Sequence, residues 1–409
     1  MLFNSLTRRL EKFQSNKPKK VKMYTCGPSI YLLPHIGNYR TFLYEDILNR
    51  YLEYSGYEME HALNVTDVED KAIAETEKEG ITLKELTERN TKIFLDELQK
   101  LGAKMPTHFP KSSTSVEQAV NIIQALLKKG YAYWHGGNIY FDPLKFKDFG
   151  KLYGLDMRRW PKEKRRFHKD TYPGNRWNLG DFILWHGYRE GDKVYWNTSL
   201  GKGRPAWNVQ DPAMVSQTLG CKVDIYCGGV DNLIRHHDYV KAIMESLTGE
   251  QFATYWLHGE HLFVDGKKMS KSRGNIIYPK DLVERGCNWQ HIRFFLINGY
   301  YRKRLNYTQK KFKVACDRLH EFKDIVEKLQ SIKATGKSNR KTKKIVTQLK
   351  SVFEEQMNID LHVKKAFDAL FMNVSKLVEL AIKGEVSPED AKIAMSELKE
   401  IDQVLNVIF

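Results

Sequence analysis

The chain has 409 residues, 42% of them hydrophobic, enough for a full core and two or three domains. Its 66 Lys and Arg against 50 Asp and Glu give a formal charge of +16, which argues for a polyanionic partner such as RNA, although a Lys-rich composition alone produces the same excess. Five scattered cysteines (Cys26, Cys221, Cys227, Cys287, Cys316) without disulfide spacing, no apolar leader, and no run near the ~18 apolar residues of a membrane span exclude a disulfide scaffold and a membrane protein, and predict a cytoplasmic compartment.

A basic segment ending in Lys17-Pro18-Lys19-Lys20 leads into Val21, Met23 and Thr25, which alternate with Lys22 and Tyr24 and predict a half-buried strand. Gly27-Pro28 breaks that period, and Phe42, Leu43, Ile47, Leu48, Tyr51 and Leu52 then recur at helical spacing. This strand-loop-helix unit places His35-Ile36-Gly37-Asn38 at a helix N-terminus, where free backbone N–H groups and the dipole favour an anion such as phosphate. Taken alone the string is weak, since a His near a helix start is more often a cap. Glu58 to Val65 reads as a second strand with Met59, His61, Leu63 and Val65 on one face. Leu83 to Leu101 and Val116 to Lys129 read as helices, the second ended by Gly130. The alternation predicts a parallel, doubly wound sheet.

Tyr131 to Trp134 and Asn138 to Phe141 flank Gly136-Gly137 as a hairpin would, opening an apparent insertion into the Rossmann-type domain. Within it Arg158, Arg159, Lys162, Lys164, Arg165, Arg166 and Lys169 are interleaved with Trp160 and Phe167, a pattern suited to single-stranded RNA ends and also to a solvated loop. From Arg204 to Val264 strand and helix alternation returns, with Val223 to Tyr226 a strand ending in Gly228-Gly229. Asp231, just past it, suits ribose hydroxyls or a helix N-cap. Lys268-Met269-Ser270-Lys271-Ser272 follows the strand-like His261 to Val264 and puts two ammonium groups on a loop flanked by Gly266 and Gly274, an arrangement suited to a pyrophosphate leaving group. Beyond Tyr307 the pattern is helical: Phe312 to Leu329, Thr347 to Asn358, Val363 to Ile382 and Pro388 to Val407, with a linker at Lys333 to Lys344.

HIGN and KMSKS, in this order and separated by most of a domain, make the chain resemble a class I aminoacyl-tRNA synthetase, and within that class the cysteinyl-tRNA synthetase family. The likeness extends through CGPSIY at Cys26, HIGNYRTF at His35, NVTDVEDK at Asn64, GRPAW at Gly203, GGVD at Gly228, HH at His236 and His237, KMSKSRGN at Lys268 and LNYT at Leu305. It implies a doubly wound Rossmann-type parallel sheet split by an insertion that contacts the acceptor end of tRNA, followed by an α-helical bundle. The corresponding divisions are 1–130 and 203–275 for the two catalytic halves, 131–202 for the insertion, 276–309 for a stem-contact region and 310–409 for the bundle. Asn358-Ile359-Asp360 and Ala366 to Leu370 fall where the family's characteristic bundle segment lies, and the usual C-terminal anticodon module is expected to be absent.

The resemblance further implies ATP with Mg²⁺ as cofactors and an amino acid and tRNA as partners of a monomer. His35 and Asn38 would donate to phosphates, Lys268 and Lys271 would neutralise pyrophosphate, and Gly37, Gly229, Asp231 and Met269 would complete the ATP site. Cys26, Ser29, Thr66, Trp207, Asp211, His236 and Val240 would form the amino-acid pocket. The family's zinc is held by two Cys, one His and one Glu, whose positions here are Cys26, Asp211, His236 and Val240. With two of four donors changed, no zinc is expected, Cys26 and His236 being a remnant; the alternative is a rebuilt tetrahedral site on Cys26, Asp211, Cys227 and His236. Two other classes stay open: a paralogue that passes an activated amino acid to a non-tRNA acceptor, as mycothiol-type ligases do, and a non-catalytic RNA-binding relative.

Overall fold

The computed structural model describes residues 1–155, 181–331 and 336–409, with the backbone alone at 234 and 235. The basic run from Arg158 to Lys169 therefore lies outside the described residues, as does part of the expected linker. A ribbon of β1 (Leu2–Asn4) and β2 (Arg9–Glu11) precedes β3 (Lys20–Thr25), α1 (Ile36–Tyr54), β4 (Glu58–Leu63), α2 (Asp70–Glu79), α3 (Leu83–Lys100) and α4 (Val116–Lys128). An antiparallel group then follows: β5 (Ala132–His135), β6 (Asn138–Phe141), β7 (Phe182–Gly187), β8 (Trp196–Thr198) and β9 (Gly201–Pro205), ordered β5-β6-β7-β9-β8. Its first turn holds Gly136 and Gly137 at φ +55° and +78°, the left-handed pair that a tight hairpin needs.

The chain returns through α5 (Trp207–Thr218), β10 (Val223–Gly229), a π turn at Leu233–His237, α6 (Asp238–Thr248) and β11 (Ala253–Gly259). All pairings in the central sheet β11-β10-β3-β4 are parallel. The order reverses between β3 and β10, so their carboxyl ends flank the crevice where such sheets bind ligands. This is the doubly wound sheet, split by an insertion, that the sequence predicts.

Position within the sheet explains one departure. Tyr24, expected on the exposed face, is as buried as Val21, Met23 and Thr25, because β3 pairs on both edges and is covered on both faces, which breaks the expected alternation. Ala62 of β4, an edge strand met on its outer side by a bridge to His108, is buried in the same apolar cluster as Tyr24. Helix α2 has Ala72 as its sole buried residue, so it carries no apolar stripe that a sequence could reveal.

A hairpin of β12 (Leu262–Val264) and β13 (Lys267–Lys268) is joined in parallel by β14 (Leu305–Tyr307), after α7 (Pro279–Glu284) and α8 (Trp289–Ile297). The bundle comprises α9 (Gln309–Ser331), α10 (Arg340–Met357), α11 (Val363–Ile382) and α12 (Pro388–Leu405). Helix α10 starts seven residues before the expected Thr347, inside the polar stretch that reads as linker, because the Asn339 side chain accepts from Thr342 N at 2.9 Å and caps it. Among the described residues no helix is long and apolar enough to cross a membrane.

Two buried carboxylates help tie the bundle to the elements packed around the parallel sheet. Asp360, at φ +57°, accepts from Tyr301 Oη at 2.8 Å, from Tyr300 and from Phe3 N at 2.8 Å. Asp46 of α1 pairs with the fully buried Arg293 of α8 at 2.7 Å, while Arg293 also donates to Leu405 O and Leu101 O at 2.8 and 3.1 Å. Removing one partner strands the other charge in the core. Asp46→Ala is therefore expected to lose about 3–5 kcal/mol, read as a lower denaturant midpoint at unchanged slope.

Candidate active site

The first signature builds a helix start. His35 is the N-cap of α1: its Nδ1 accepts from Asn38 N at 3.2 Å, and Asn38 Oδ1 accepts from His35 N at 3.0 Å. Ile36 N donates to Ile277 O at 3.0 Å. Most of the first-turn amides expected to greet an anion are thus already engaged. What the turn still offers is the positive end of the helix, the Gly37 amide and the two side-chain nitrogens not used in the cap, His35 Nε2 and Asn38 Nδ2.

The second signature lies against the first. A Cβ placed on Gly37 would come within 2.7 Å of Met269 Cε, so the two loops lie in contact here and a side chain at 37 would have to push the Met269 tip aside. Met269 is buried, and Lys268 and Lys271 on either side of it are exposed. Asp265 and Gly266, at φ +47° and +75°, turn the β12–β13 hairpin that carries the loop. Burial pushes the His35 imidazole below its usual range, an effect that Lys268 reinforces and Asp231 opposes, which places both charges within electrostatic reach of it.

Asp231 follows β10 and is exposed. The π turn after it has Asn232, not Asp231, at its N-cap position. Its Oδ1 would lie 2.6 Å from a Cβ on Gly229, a close approach that glycine permits. Gly27 is equally constrained: a Cβ there would overlap Asn64 O at 1.7 Å, and Gly27 N donates to Asn64 Oδ1 at 2.7 Å.

The predicted amino-acid pocket converges on Asp211, buried in α5. Tyr226 Oη donates to Asp211 Oδ2 at 2.8 Å, His236 Nε2 to the same oxygen at 2.9 Å, and Asn64 Nδ2 to Oδ1 at 3.3 Å. Burial works to raise this carboxyl, yet His236 and the hydrogen bonds from His236, Tyr226 and Cys26 hold it below the usual range. The Cys26 thiol is pushed well up, by burial first and then by Asp211. Trp207 stacks on His236 with ring centroids 4.1 Å apart. Ser29 and Thr66 bridge each other beside the pocket, and Val240 is wholly buried in an apolar cluster with Val215 and Met244. Tyr226 and Asn64 were not among the residues assigned a role from sequence, although Tyr226 sits one residue before the Cys227-Gly228 strand end.

The residues present do not fit the four-donor zinc site that the resemblance implies. Val240 has no donor atom, and the oxygens of Asp211 are engaged by Tyr226, Asn64, His236 and Cys26. Cys227 alternates to the other sheet face, in the core cluster that includes α1, and its thiol is pushed well up by burial and by Glu45, so it is no substitute ligand. What remains is a group of Cys26, His236 and His237 with ligating atoms within 4.8 Å of one another, in which His237 Nδ1 already pairs with His258 Nε2 at 2.7 Å.

Comparison with known proteins agrees with this geometry. Residues 12–317 match the family described as tRNA synthetases class I (C) catalytic domain. Cysteine--tRNA ligase from Chlamydia pneumoniae is 37% identical over 411 residues, covering 99% of this chain and 86% of the relative. The enzyme of that name from Brachyspira hyodysenteriae is 36% identical over 413 residues, covering 100% and 85%. Among solved structures, an Agrobacterium radiobacter K84 LeuRS-tRNA-LeuAMS complex superposes with a TM-score of 0.69 at 13% identity, covering 97% of this chain and 85% of that one. Mycobacterium tuberculosis methionyl-tRNA synthetase with methionyl-adenylate gives 0.67 at 14%, covering 94% and 89%. These two likenesses speak to the fold. Sequence, fold and the two touching signature loops agree: the chain belongs to the cysteine–tRNA ligase family of class I tRNA synthetases.

Proposed function

We propose that the protein activates an amino acid with ATP and transfers it from the adenylate to the 3′ end of a tRNA. The contact of Gly37 with Met269 carries this reading, since it brings the capped helix start and the two exposed lysines to one place at the carboxyl ends of β3 and β10. In the first step an amino-acid carboxylate oxygen attacks the α-phosphorus, the bond to the bridging oxygen breaks, and pyrophosphate departs with its electrons. No covalent enzyme intermediate is needed, only positioning and charge stabilisation. His35 Nε2, the Gly37 amide and Asn38 Nδ2 donate to phosphate oxygens. Lys268 and Lys271 follow the leaving group on their mobile stems. Asp231 holds the ribose, with Gly229 allowing close approach. Mg²⁺ bound with ATP would add charge neutralisation through phosphate oxygens and water. Ser29, Thr66 and Trp207 line the amino end of the substrate, and Cys26, Asp211, His236 and Val240 its side chain.

The charge of +16 supports a tRNA partner. Filter binding and charging with unfractionated tRNA test it. Binding is expected to weaken steeply between 50 and 200 mM salt, roughly 10³-fold or more if about six phosphates are contacted, and to tolerate anticodon changes in the cognate tRNA. Absence of binding at low salt would move the acceptor from tRNA to a small molecule. The changed donors at Asp211 and Val240 favour one further reading, that the activated amino acid is not cysteine.

A further inference from the structure

Beside the amino-acid pocket, a cleft of about 220 Å³ opens between the segment after Thr66 and the inserted strands, lined by Glu69, Lys71, His186, Arg204, Trp207 and Gln210 among others. Among the described residues, two acceptor atoms on its lining lack hydrogen-bond partners: Glu69 Oε1 and Gln210 Oε1, on residues 6% and 2% exposed. The orientation of Gln210 is fixed, because its Nε2 donates to Val68 O at 2.7 Å and to Pro205 O at 3.4 Å. Glu69 occupies the N-cap position of α2 and makes no side-chain capping bond there, so helix capping does not account for it. Buried acceptors are disfavoured unless donors reach them, and here a ligand would supply them.

The surroundings narrow the ligand. Trp207 is shared with the amino-acid pocket through its stack on His236, so the cleft adjoins the place where an activated carbonyl would sit. Lys71 lies over the Tyr31 ring at 5.1 Å, and Arg204 pairs with Asp70 at the rim, within reach of an anionic tail. Paired acceptors, an aromatic wall and rim cations match a group with several hydroxyl or amine donors.

We propose that this cleft seats the nucleophile-bearing sugar of the acceptor, and that Glu69 is the base that takes its proton during transfer. This rests on the adenylate-forming reading above. The acceptor oxygen or nitrogen attacks the carbonyl carbon of the adenylate, and the bond from that carbon to the phosphate oxygen breaks. AMP leaves with the electron pair while the acceptor proton passes to Glu69; Gln210 Oε1 accepts from a second donor and sets the sugar's orientation. Burial pushes the Glu69 carboxyl up to about 7, opposed by Lys71 and Ser29 and reinforced by Asp70, so it can hold a proton near neutrality and also release it. The other titratable groups facing it are Tyr31, raised chiefly by burial, His186, lowered to about 4 chiefly by burial, and Arg204.

Single-turnover transfer from preformed adenylate, run beside ATP–pyrophosphate exchange, tests the assignment. Unfractionated tRNA and glucosamine serve as separate acceptors. Wild-type transfer should rise with pH through about 7, the range in which Glu69 loses its proton. Glu69→Gln should slow transfer at least 10-fold more than exchange and flatten that rise, while Gln210→Leu should raise the acceptor KM and leave the pH profile in place. Transfer to tRNA alone identifies a terminal ribose as the occupant, and transfer to glucosamine alone an aminosugar. Equal losses of exchange and transfer in Glu69→Gln, or an unchanged pH profile, would overturn the role of Glu69. Absence of exchange in the wild type would instead remove the adenylate reading on which it rests.

Discussion

Lys271→Ala is expected to lower amino-acid-dependent ATP–pyrophosphate exchange by ~10²-fold or more, the scale for losing one preorganised charge contact to a transition state. Lys271 is exposed and makes no ion pair among the described residues, so its removal should leave the thermal midpoint unchanged. Met269→Ala acts on the same loop by another route: it removes the side chain that rests on Gly37 and should slow exchange by loosening the loop's docking. Exchange unaffected by Lys271→Ala, with a substrate amino acid that works for the wild type, would remove the loop from the chemistry.

The second large effect concerns selection of the amino acid. A zinc that binds a thiolate rejects serine strongly, because the hydroxyl is a poor ligand at neutral pH. Here the corresponding space holds the Asp211 network and the Val240 side chain. Discrimination by shape and weak thiol hydrogen bonding yields only ~10 to 200-fold. Purified protein is therefore expected to carry well under one equivalent of zinc, and its preference for cysteine over serine or alanine in exchange should stay within that range. Near-stoichiometric zinc that disappears in Cys26→Ser and in His237→Asn, with strong cysteine preference, would show instead that the site had been rebuilt on Cys26, His236 and His237.

Those residues also show what a sequence can and cannot reveal. The apolar periodicity of α1 and the hairpin at Gly136-Gly137 were legible because each is local, a repeat or a turn. The position of His35 at a helix start was legible too, but its role as a cap was confirmed only by the reciprocal bonds with Asn38. The network around Asp211 was legible only in part: the resemblance grouped Cys26, Asp211 and His236, while Tyr226 and Asn64 escaped. It joins α5, β10, the π turn and the loop after β4, segments brought together only by the order of strands in the sheet. Cys227 is the counterpart: near Gly228-Gly229 in sequence, yet turned by the alternation of β10 to the face opposite Tyr226, a separation that sequence proximity concealed. Glu69 escaped for the same reason as α2, since nothing apolar marks the segment, and its character comes from burial beneath the insertion.

The central claim is that the touching HIGN and KMSKS loops form an adenylate. ATP–pyrophosphate exchange with each of the standard amino acids in turn tests it most directly. One amino acid, or a small set of similar size, should drive exchange well above the amino-acid-free background, and Lys271→Ala should abolish most of that signal. Background-level exchange with every amino acid, from folded protein that still binds ATP, would contradict it.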